Sequence, residues 1–394
     1  MPVRATKRGA ERTRFASDAA ADVLICGASF AGLAVARELR ATGARVLVLD
    51  RYEIGERQTS ACAAPTDWLL NLGLSDSIRQ TFSSLLVHTP RRTARWPLPW
   101  TFSTFDYRTL CRLLWEQTGD ATFETAKVDS RSPVSPSTTP DGAVPGDVTV
   151  HTDRGDVRAR LIVDGLGWRR VLGSGANVQP PDAPLSRGLE VHPHGRGGDL
   201  ELWLDRRYIG PGYGWSFPAR DELRIGVGSF DPRLHVKDPT LRLAADVESD
   251  AERFQGNWIP HRLRPATEDG VFFVGDSAGH CLPLTAEGIR TALYFGIACG
   301  RELRAVLDGR QDTAQALRRY HDFSASHALE FTSMYHAQQS VRRLHGRPMD
   351  GLVRLFGRRR VSHWTFRHYL DIAPPSAALP APGEGRAAPA RAAA

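Results

Sequence analysis

The sequence predicts an α/β protein: a domain built on a parallel sheet, interrupted by an inserted antiparallel sheet and followed by a helical region. Three observations predict it. A buried strand, a glycine-rich turn, a helix and a second buried strand follow one another between Asp22 and Asp50, the βαβ order of a parallel pair. Alternating, aromatic-rich runs between Ser186 and Phe230 carry the period of two expected of an antiparallel sheet. The chain then returns to a short apolar run, Val271-Phe272-Phe273-Val274, before a helical pattern from about Glu287 to Leu307.

Residues 1–20 are polar and Arg-rich without periodicity and read as a disordered basic end. Residues 21–185 form the first part of the parallel-sheet domain. Its first strand is Val23-Leu24-Ile25-Cys26, a helix runs from Leu33 to about Thr42 until Gly43 stops it, and Arg45 to Asp50 is the second strand. Further strands are expected around Ala126-Lys127-Val128, at Val148 to His151 and from Val157 to Val163, with a Pro/Ser/Thr-rich loop over 131–147. Residues 186–262 are the inserted sheet, with runs at Leu200 to Leu204, Tyr213 to Phe217 and Leu223 to Ser229. Residues 263–310 complete the first domain. Residues 311–372 are helical with breaks at Gly346-Arg347-Pro348 and Gly357, and the Pro/Ala/Gly-rich 373–394 read as a disordered tail.

Composition narrows the function. No run approaches the roughly 18 apolar residues of a membrane-spanning helix. The net charge of +7 suggests nucleic acid, but it is carried by the ends: +3 in residues 1–20 and +7 between Arg342 and His368. The body is left slightly acidic, which argues against a basic nucleic-acid groove. Five widely spaced cysteines show no CxxC pair, and no His cluster has metal-ligand spacing. With no apolar leader at the N-terminus, the expected setting is the reducing cytoplasm.

The first chemical motif is Gly27-x-Ser29-x-x-Gly32 followed by Asp50. A tight strand-to-helix turn brings backbone N–H groups and a helix N-terminus to a pyrophosphate, while a carboxylate ending the second strand accepts from ribose hydroxyls. Gly27, Ala28, Ser29, Phe30, Ala31 and Gly32, with Asp50 and Arg51, are the expected dinucleotide contacts. An acidic residue at position 50 fits an unphosphorylated adenosine ribose.

The second motif, Val274-Gly275-Asp276-Ser277-Ala278-Gly279 and then Pro283-Leu284-Thr285-Ala286-Glu287-Gly288-Ile289, resembles that of FAD-dependent oxidoreductases with the glutathione-reductase-type nucleotide fold. The resemblance implies a Rossmann-like FAD-binding domain. Gly275 and Asp276 would meet the flavin ribityl chain, and Pro283, Gly288 and Ile289 would form a helix start beneath the isoalloxazine. A positive helix end favours the anionic reduced flavin. The same resemblance places the Val128 backbone at the adenine, and Arg108 as a phosphate contact in place of the Arg usual before Phe105-Asp106.

The third motif, Tyr213-x-Trp215-x-Phe217-Pro218 and then Gly226-x-Gly228, is similar to a signature of the geranylgeranyl reductase family, flavoenzymes that hydrogenate isolated double bonds in prenyl chains. The likeness spans roughly residues 21–310. It implies that the inserted sheet is a substrate-binding domain, with Trp203, Tyr213, Trp215, Phe217, Gly226 and Gly228 bounding an apolar tunnel; the plainer reading is a packed sheet face. Cys62 falls near that family's Cys-Gly-Gly element, with Ala63 and Ala64 in place of the glycines, and Ala286 stands where glycine is usual.

The expected reaction is therefore reduction of a carbon-carbon double bond in a prenyl or other apolar lipid or natural product. Reduced flavin gives a hydride to one carbon and an acid protonates the other, with the faces of Trp203, Tyr213 and Trp215 steadying positive charge. Cys62, Tyr213 and Glu287 are candidate acids, and His280 is a weaker one. NAD(P)H visiting transiently, or a ferredoxin-type protein, would reduce the flavin. Two alternatives keep the fold: an FAD-dependent monooxygenase on an apolar substrate, favoured by the turn at Asp164-Gly165, and a flavin-dependent cyclase without net redox change. The Arg-rich segment after Arg342 fits either a helix lying on an anionic membrane surface or one packed on the body with solvated arginines. No feature points to one oligomeric state.

Overall fold

The computed structural model describes residues 12–379 apart from 59, 133–147, 176–178, 181 and 252. β1 (Ala20–Cys26) is covered on both faces, with Val23, Leu24, Ile25 and Cys26 fully buried. Gly27 ends it at φ +114°, where a Cβ would lie 2.4 Å from the Gly165 carbonyl oxygen, and α1 (Phe30–Glu38) and β2 (Val46–Asp50) follow. The chain then crosses to a second sheet with β3 (Ala63–Pro65), α2 (Thr66–Asn71), β4 (Ile78–Thr89) and β5 (Arg92–Phe105), and returns through α3 (Tyr107–Glu116) to β6 (Thr122–Thr125). β7 (Val128–Arg131), β8 (Val148–Thr152) and β9 (Gly155–Asp164) form a meander. The second sheet resumes with β10 (Leu185–Val191), β11 (Leu200–Trp203), β12 (Gly212–Pro218), β13 (Leu223–Ser229), α4 (Lys237–Asp246) and β14 (Gln255–Pro260). β15 (Thr267–Glu268) and β16 (Val271–Phe273) rejoin the first sheet, and α5 (Ile289–Leu307), α6 (Thr313–Ala325), α7 (Ala328–Val341), α8 (Arg347–Phe356) and α9 (Arg359–Asp371) follow.

The first sheet runs β15-β16-β9-β1-β2-β6, with β7 and β8 attached to β9, and the second runs β14-β10-β13-β12-β11-β4-β5-β3. β1 pairs in parallel with both β2 and β9, so connections leave it to either side and a crevice opens at its carboxyl end. Two glycines of α5 bring that helix close to α1: a Cβ on Gly296 would lie 2.7 Å from the Ala31 carbonyl oxygen, and one on Gly300 2.6 Å from the Glu38 Cβ.

Four expectations are corrected. The second sheet is not confined to residues 186–262, because β3, β4 and β5 complete it and β11 pairs in parallel with β4. Pro97 and Pro99 conceal β5 in the sequence. They lie where β3, paired only at residues 102–104, does not reach, beside a register shift between Phe82 and Ser84, the edge-and-bulge setting that tolerates proline.

Of the strand expected around Ala126-Lys127-Val128, Val128 opens β7, while Ala126 and Lys127 form the gap after β6, held by the Ala126 N–H donating to the Asp50 carbonyl. Residues 12–19 are tied down rather than disordered: Arg12 pairs with Asp153 at 2.9 Å, and the Arg154 guanidinium covers the Phe15 ring. Residues 373–379 pack as well, since Trp68 Nε1 donates to the Ala373 carbonyl and Asn71 Nδ2 to that of Pro375, and Ala373 and Ala378 are fully buried. The rest of both expected disordered ends, and residues 133–147 of the expected loop, lie outside the described residues. Helix breaks fall at Gly346 and Gly357 as the sequence suggests. Among the described residues, no helix is long and apolar enough to cross a membrane.

Candidate active site

A cavity of about 1700 Å³ is lined by both sheets and by α7, α8 and α9. A pocket for one small ligand spans roughly 300–1,000 Å³, so this one has room for two. One end is formed by the turn from Ala28 to Gly32, by Asp50, Arg51 and Val128, and by Gly275, Asp276, Gly288 and Ile289. Ser29 precedes α1 without capping it, because its hydroxyl bonds the Tyr107 hydroxyl at 3.1 Å; no acidic residue occupies the first turn. The first N–H groups of α1 are thus left for an anion.

Two carboxylates flank that turn. Asp50 is fixed by accepting from the Ala28 N–H at 2.9 Å and the Tyr52 N–H at 3.0 Å. Burial pushes its pKa up, against the lowering effect of those two donors. Asp276 has no hydrogen bond to its carboxylate among the described residues. Burial pushes it up to about 6, with the charge of Arg264 opposing. A desolvated carboxylate without a donor is unfavourable alone and suits a hydroxyl-bearing ligand. The residues present fit FAD: an uncapped helix start for the pyrophosphate, a fixed carboxylate for the adenosine ribose, an unpartnered one for the ribityl hydroxyls, and the N-terminus of α5 beyond it.

The opposite wall explains the spacing of the third motif. Tyr213, Trp215 and Phe217 line the cavity from β12. The Trp215 indole lies across β13: a Cβ on Gly226 would meet its Cζ2 at 2.2 Å, and one on Gly228 its Cζ3 at 3.4 Å. Glycines at both positions give the ring its bed, and its Nε1 donates to Glu190 at 3.1 Å. The Tyr213 hydroxyl donates to the Thr285 carbonyl, joining this wall to the turn before α5. Farther along, Trp96, Leu98 and Trp100 of β5 face Met349, Leu352, Phe356 and Phe366, an apolar sleeve.

Not every expected residue reaches the cavity. Trp203 lies on the far side of the sheet and stacks on His88 with ring centroids 4.9 Å apart, because alternation on β11 turns Leu202 inward instead. Gly226 lies beneath the indole. Gly27 and Pro283 stand behind the lining, and Arg108 is exposed, packed on Gly55. Glu287 lines the cavity, but both its oxygens are taken by Arg290, at 2.9 Å each, and one also accepts from the Tyr369 hydroxyl. It is an anchor for α9 rather than a free acid. His280 is fully buried off the cavity, stacked on Phe295 at 3.8 Å, and burial pushes its pKa well down. Cys62 lines the cavity at φ +50°, with its thiol pushed well up by burial and its carbonyl held by Arg224 at 3.0 Å.

Residues the sequence reading missed include Trp96 and Trp100, whose period of two was masked by the intervening prolines, and Glu190 near the end of β10 and Gln255 at the start of β14, both lining the cavity. Such inward polar positions were the available signal.

No known protein-family model matches the chain. It is 25% identical over 328 residues to digeranylgeranylglycerophospholipid reductase 3 of Methanosphaera stadtmanae, covering 78% of this chain and 83% of that protein. A geranylgeranyl bacteriochlorophyll reductase-like protein from Thermoplasma acidophilum superposes with a TM-score of 0.76 over 91% of this chain and 98% of that one, at 15% identity. A p-nitrophenol 4-monooxygenase from Pseudomonas putida superposes with a TM-score of 0.69 over 90% and 99%, at 14% identity.

Proposed function

We propose that this chain, an FAD-dependent oxidoreductase of the geranylgeranyl reductase family, reduces carbon-carbon double bonds in the prenyl chain of an apolar lipid. The observation that carries this reading is one continuous cavity with the uncapped start of α1, Asp50 and Asp276 at one end and an apolar sleeve at the other. A sleeve of Trp, Leu, Met and Phe side chains suits a hydrocarbon chain, whose transfer from water is favourable at about 25 cal/mol per Å².

In this reading Ala28 to Gly32 hold the pyrophosphate, Asp50 the ribose and Asp276 the ribityl chain, with Cys62 and Ala63 beside the ring. When bound, reduced FAD supplies the hydride. Tyr213, Trp215 and Phe217 position the alkene, and the faces of the first two steady positive charge during protonation. NAD(P)H docking transiently, or a ferredoxin-type protein, is the electron donor. α8 and α9 rest on an anionic membrane surface, where a prenyl lipid enters: Leu355 and Trp364 are 42% and 65% exposed, and Trp364 stands on the cavity rim.

The test mixes photoreduced holoenzyme with a geranylgeranyl lipid under anaerobic conditions. Flavin reoxidation with a gain of two hydrogens in the product is expected. Reoxidation only on admission of oxygen, with a gain of one oxygen atom, would replace this reading by a monooxygenase.

A further inference from the structure

The cavity face of the second sheet carries buried charged groups that the reading above leaves unused. Glu190 of β10 lines the cavity at 3% exposure; His192, just beyond the strand, is 5% exposed, and Arg224 of β13 is 2% exposed. Groups this desolvated persist only when paired, and these are. His192 Nε2 lies 2.9 Å from one Glu190 oxygen, and its Nδ1 lies 3.3 Å from Glu222. Gln255 Nε2 contacts both Glu190 and His192, and Trp215 Nε1 donates to the other Glu190 oxygen. Glu222 is paired with Arg224 at 3.0 Å and Arg253 at 3.2 Å, and its side chain is 23% exposed.

The charged groups facing His192 are therefore Glu190, Glu222, Arg224 and Arg253. They form an unbroken polar line from the cavity wall to the solvent edge of the sheet. The cavity end touches the indole against which an alkene would rest, and Arg224 of the same cluster grips the Ala61 and Cys62 carbonyls at 2.8 and 3.0 Å.

We infer that His192 and Glu190 form a proton relay from solvent to the substrate, with Glu222 anchoring the solvent end. This rests on the reductase reading. In the step the π bond is consumed: one carbon takes the hydride supplied by the reduced cofactor and the other takes a proton from the Glu190 carboxyl. Two electrons pass from cofactor to alkene. The imidazolium His192 refills Glu190 with its Nε2 proton and is left neutral, its remaining proton on Nδ1 against Glu222, and a proton from water entering past Glu222 restores the imidazolium at the vacated Nε2. Electrostatics agree. Burial alone would lower the His192 pKa, but its hydrogen bonds and charge interactions with Glu190 and Glu222 outweigh this and hold it above the ordinary value. Burial would raise Glu222, yet His192 and Arg224 hold it at about 2, keeping an anion at the solvent end.

The test measures anaerobic single-turnover flavin reoxidation by a geranylgeranyl lipid from pH 6 to 9, in water and in deuterium oxide. In the parent enzyme the rate falls as the pH rises through the imidazolium titration and is slower in deuterium oxide. His192→Gln keeps a hydrogen-bonding group without the titration. It should slow reoxidation roughly 100-fold at pH 7, flatten the profile, and leave FAD affinity and the flavin spectrum unchanged. A second readout needs no turnover: NMR titration of the His192 ring in the holoenzyme should give a pKa above the ordinary value that drops in Glu190→Gln and in Glu222→Gln. An unchanged pH profile in His192→Gln, or a His192 ring that ignores both substitutions, overturns the relay. Failure of the parent enzyme to react with any prenyl alkene overturns the reductase reading, and the NMR arm still decides the proton path. Should His192→Gln not fold, Glu190→Gln is measured for the same rate, profile and spectrum.

Discussion

Asp276 sets binding against stability within one side chain. Burial pushes its carboxyl up to about 6, above the ordinary aspartate value of about 4. Between those two values the folded apoprotein holds more protons than the unfolded chain, so this group makes stability fall as pH rises from about 4 to 6, the reverse of a salt-bridged carboxylate. At pH 7 the ionised group still costs on the order of 1–3 kcal/mol. Asp276→Asn should therefore raise the melting temperature of the apoprotein at pH 7 by a few degrees while weakening FAD binding at least tenfold. Calorimetry of the apoprotein and an FAD titration check the two halves, and an unchanged melting temperature with unchanged affinity would sink the argument. The Asp276 motif was legible because its chemistry is local, whereas Trp203 was misplaced by a single step of strand parity that aromatic composition does not reveal.

Elements were legible where their cause is local and hidden where it is tertiary. β1, α1 and β2 announce themselves because apolar runs, glycines and a terminal Asp fall within 31 residues, Ala20 to Asp50. β4 and β5 do not, since long strands carrying Ser, Arg and Pro acquire their pattern only from β11 on one side and α9 on the other. Trp100 Nε1 donating to the Phe366 carbonyl and Ser362 to the Pro97 carbonyl are such contacts. Segment 373–379 is likewise ordered by α2 rather than by its own composition. A methyl on Gly296 would meet the backbone of Ala31, which cannot give way unless α1, and the phosphate turn at its start, moves. Gly296→Ala should cost about 1–3 kcal/mol and weaken FAD binding. Gly351 of α8 has nothing within 4 Å of the same added atom, so Gly351→Ala should stabilise by roughly 1 kcal/mol through helix propensity alone. Equal effects of the two on melting temperature and FAD affinity would show that close packing does not position the turn.

Across the whole molecule the charge is unevenly placed, and the placement coincides with the cavity mouth. The chain carries +7, while the stretch from Arg342 to His368 alone holds eight arginines against Asp350. Arg354, Arg358, Arg359, Arg360 and Arg367 are exposed on α8 and α9 or between them, next to Leu355 and Trp364, and the inner faces of those helices wall the apolar sleeve. On the proposed reading a lipid substrate passes from bilayer to cavity without exposing its chain to water, so a face that met an anionic surface should be the face that opens the sleeve. Each arginine near such a surface contributes about 1 kcal/mol, and the attraction is screened within roughly 10 Å at 0.1 M salt. The protein should bind phosphatidylglycerol vesicles far better than phosphatidylcholine ones and lose that preference as salt is raised. The combined substitutions Arg358→Glu, Arg359→Glu and Arg360→Glu should weaken vesicle binding roughly 100-fold. FAD content, and turnover of a short alkene soluble in water, should survive, because none of the three lines the cavity. Co-sedimentation with the two vesicle types at low and high salt decides it: binding that is indifferent to lipid charge, or unaffected by the triple reversal, would leave α8 and α9 as a cavity roof alone.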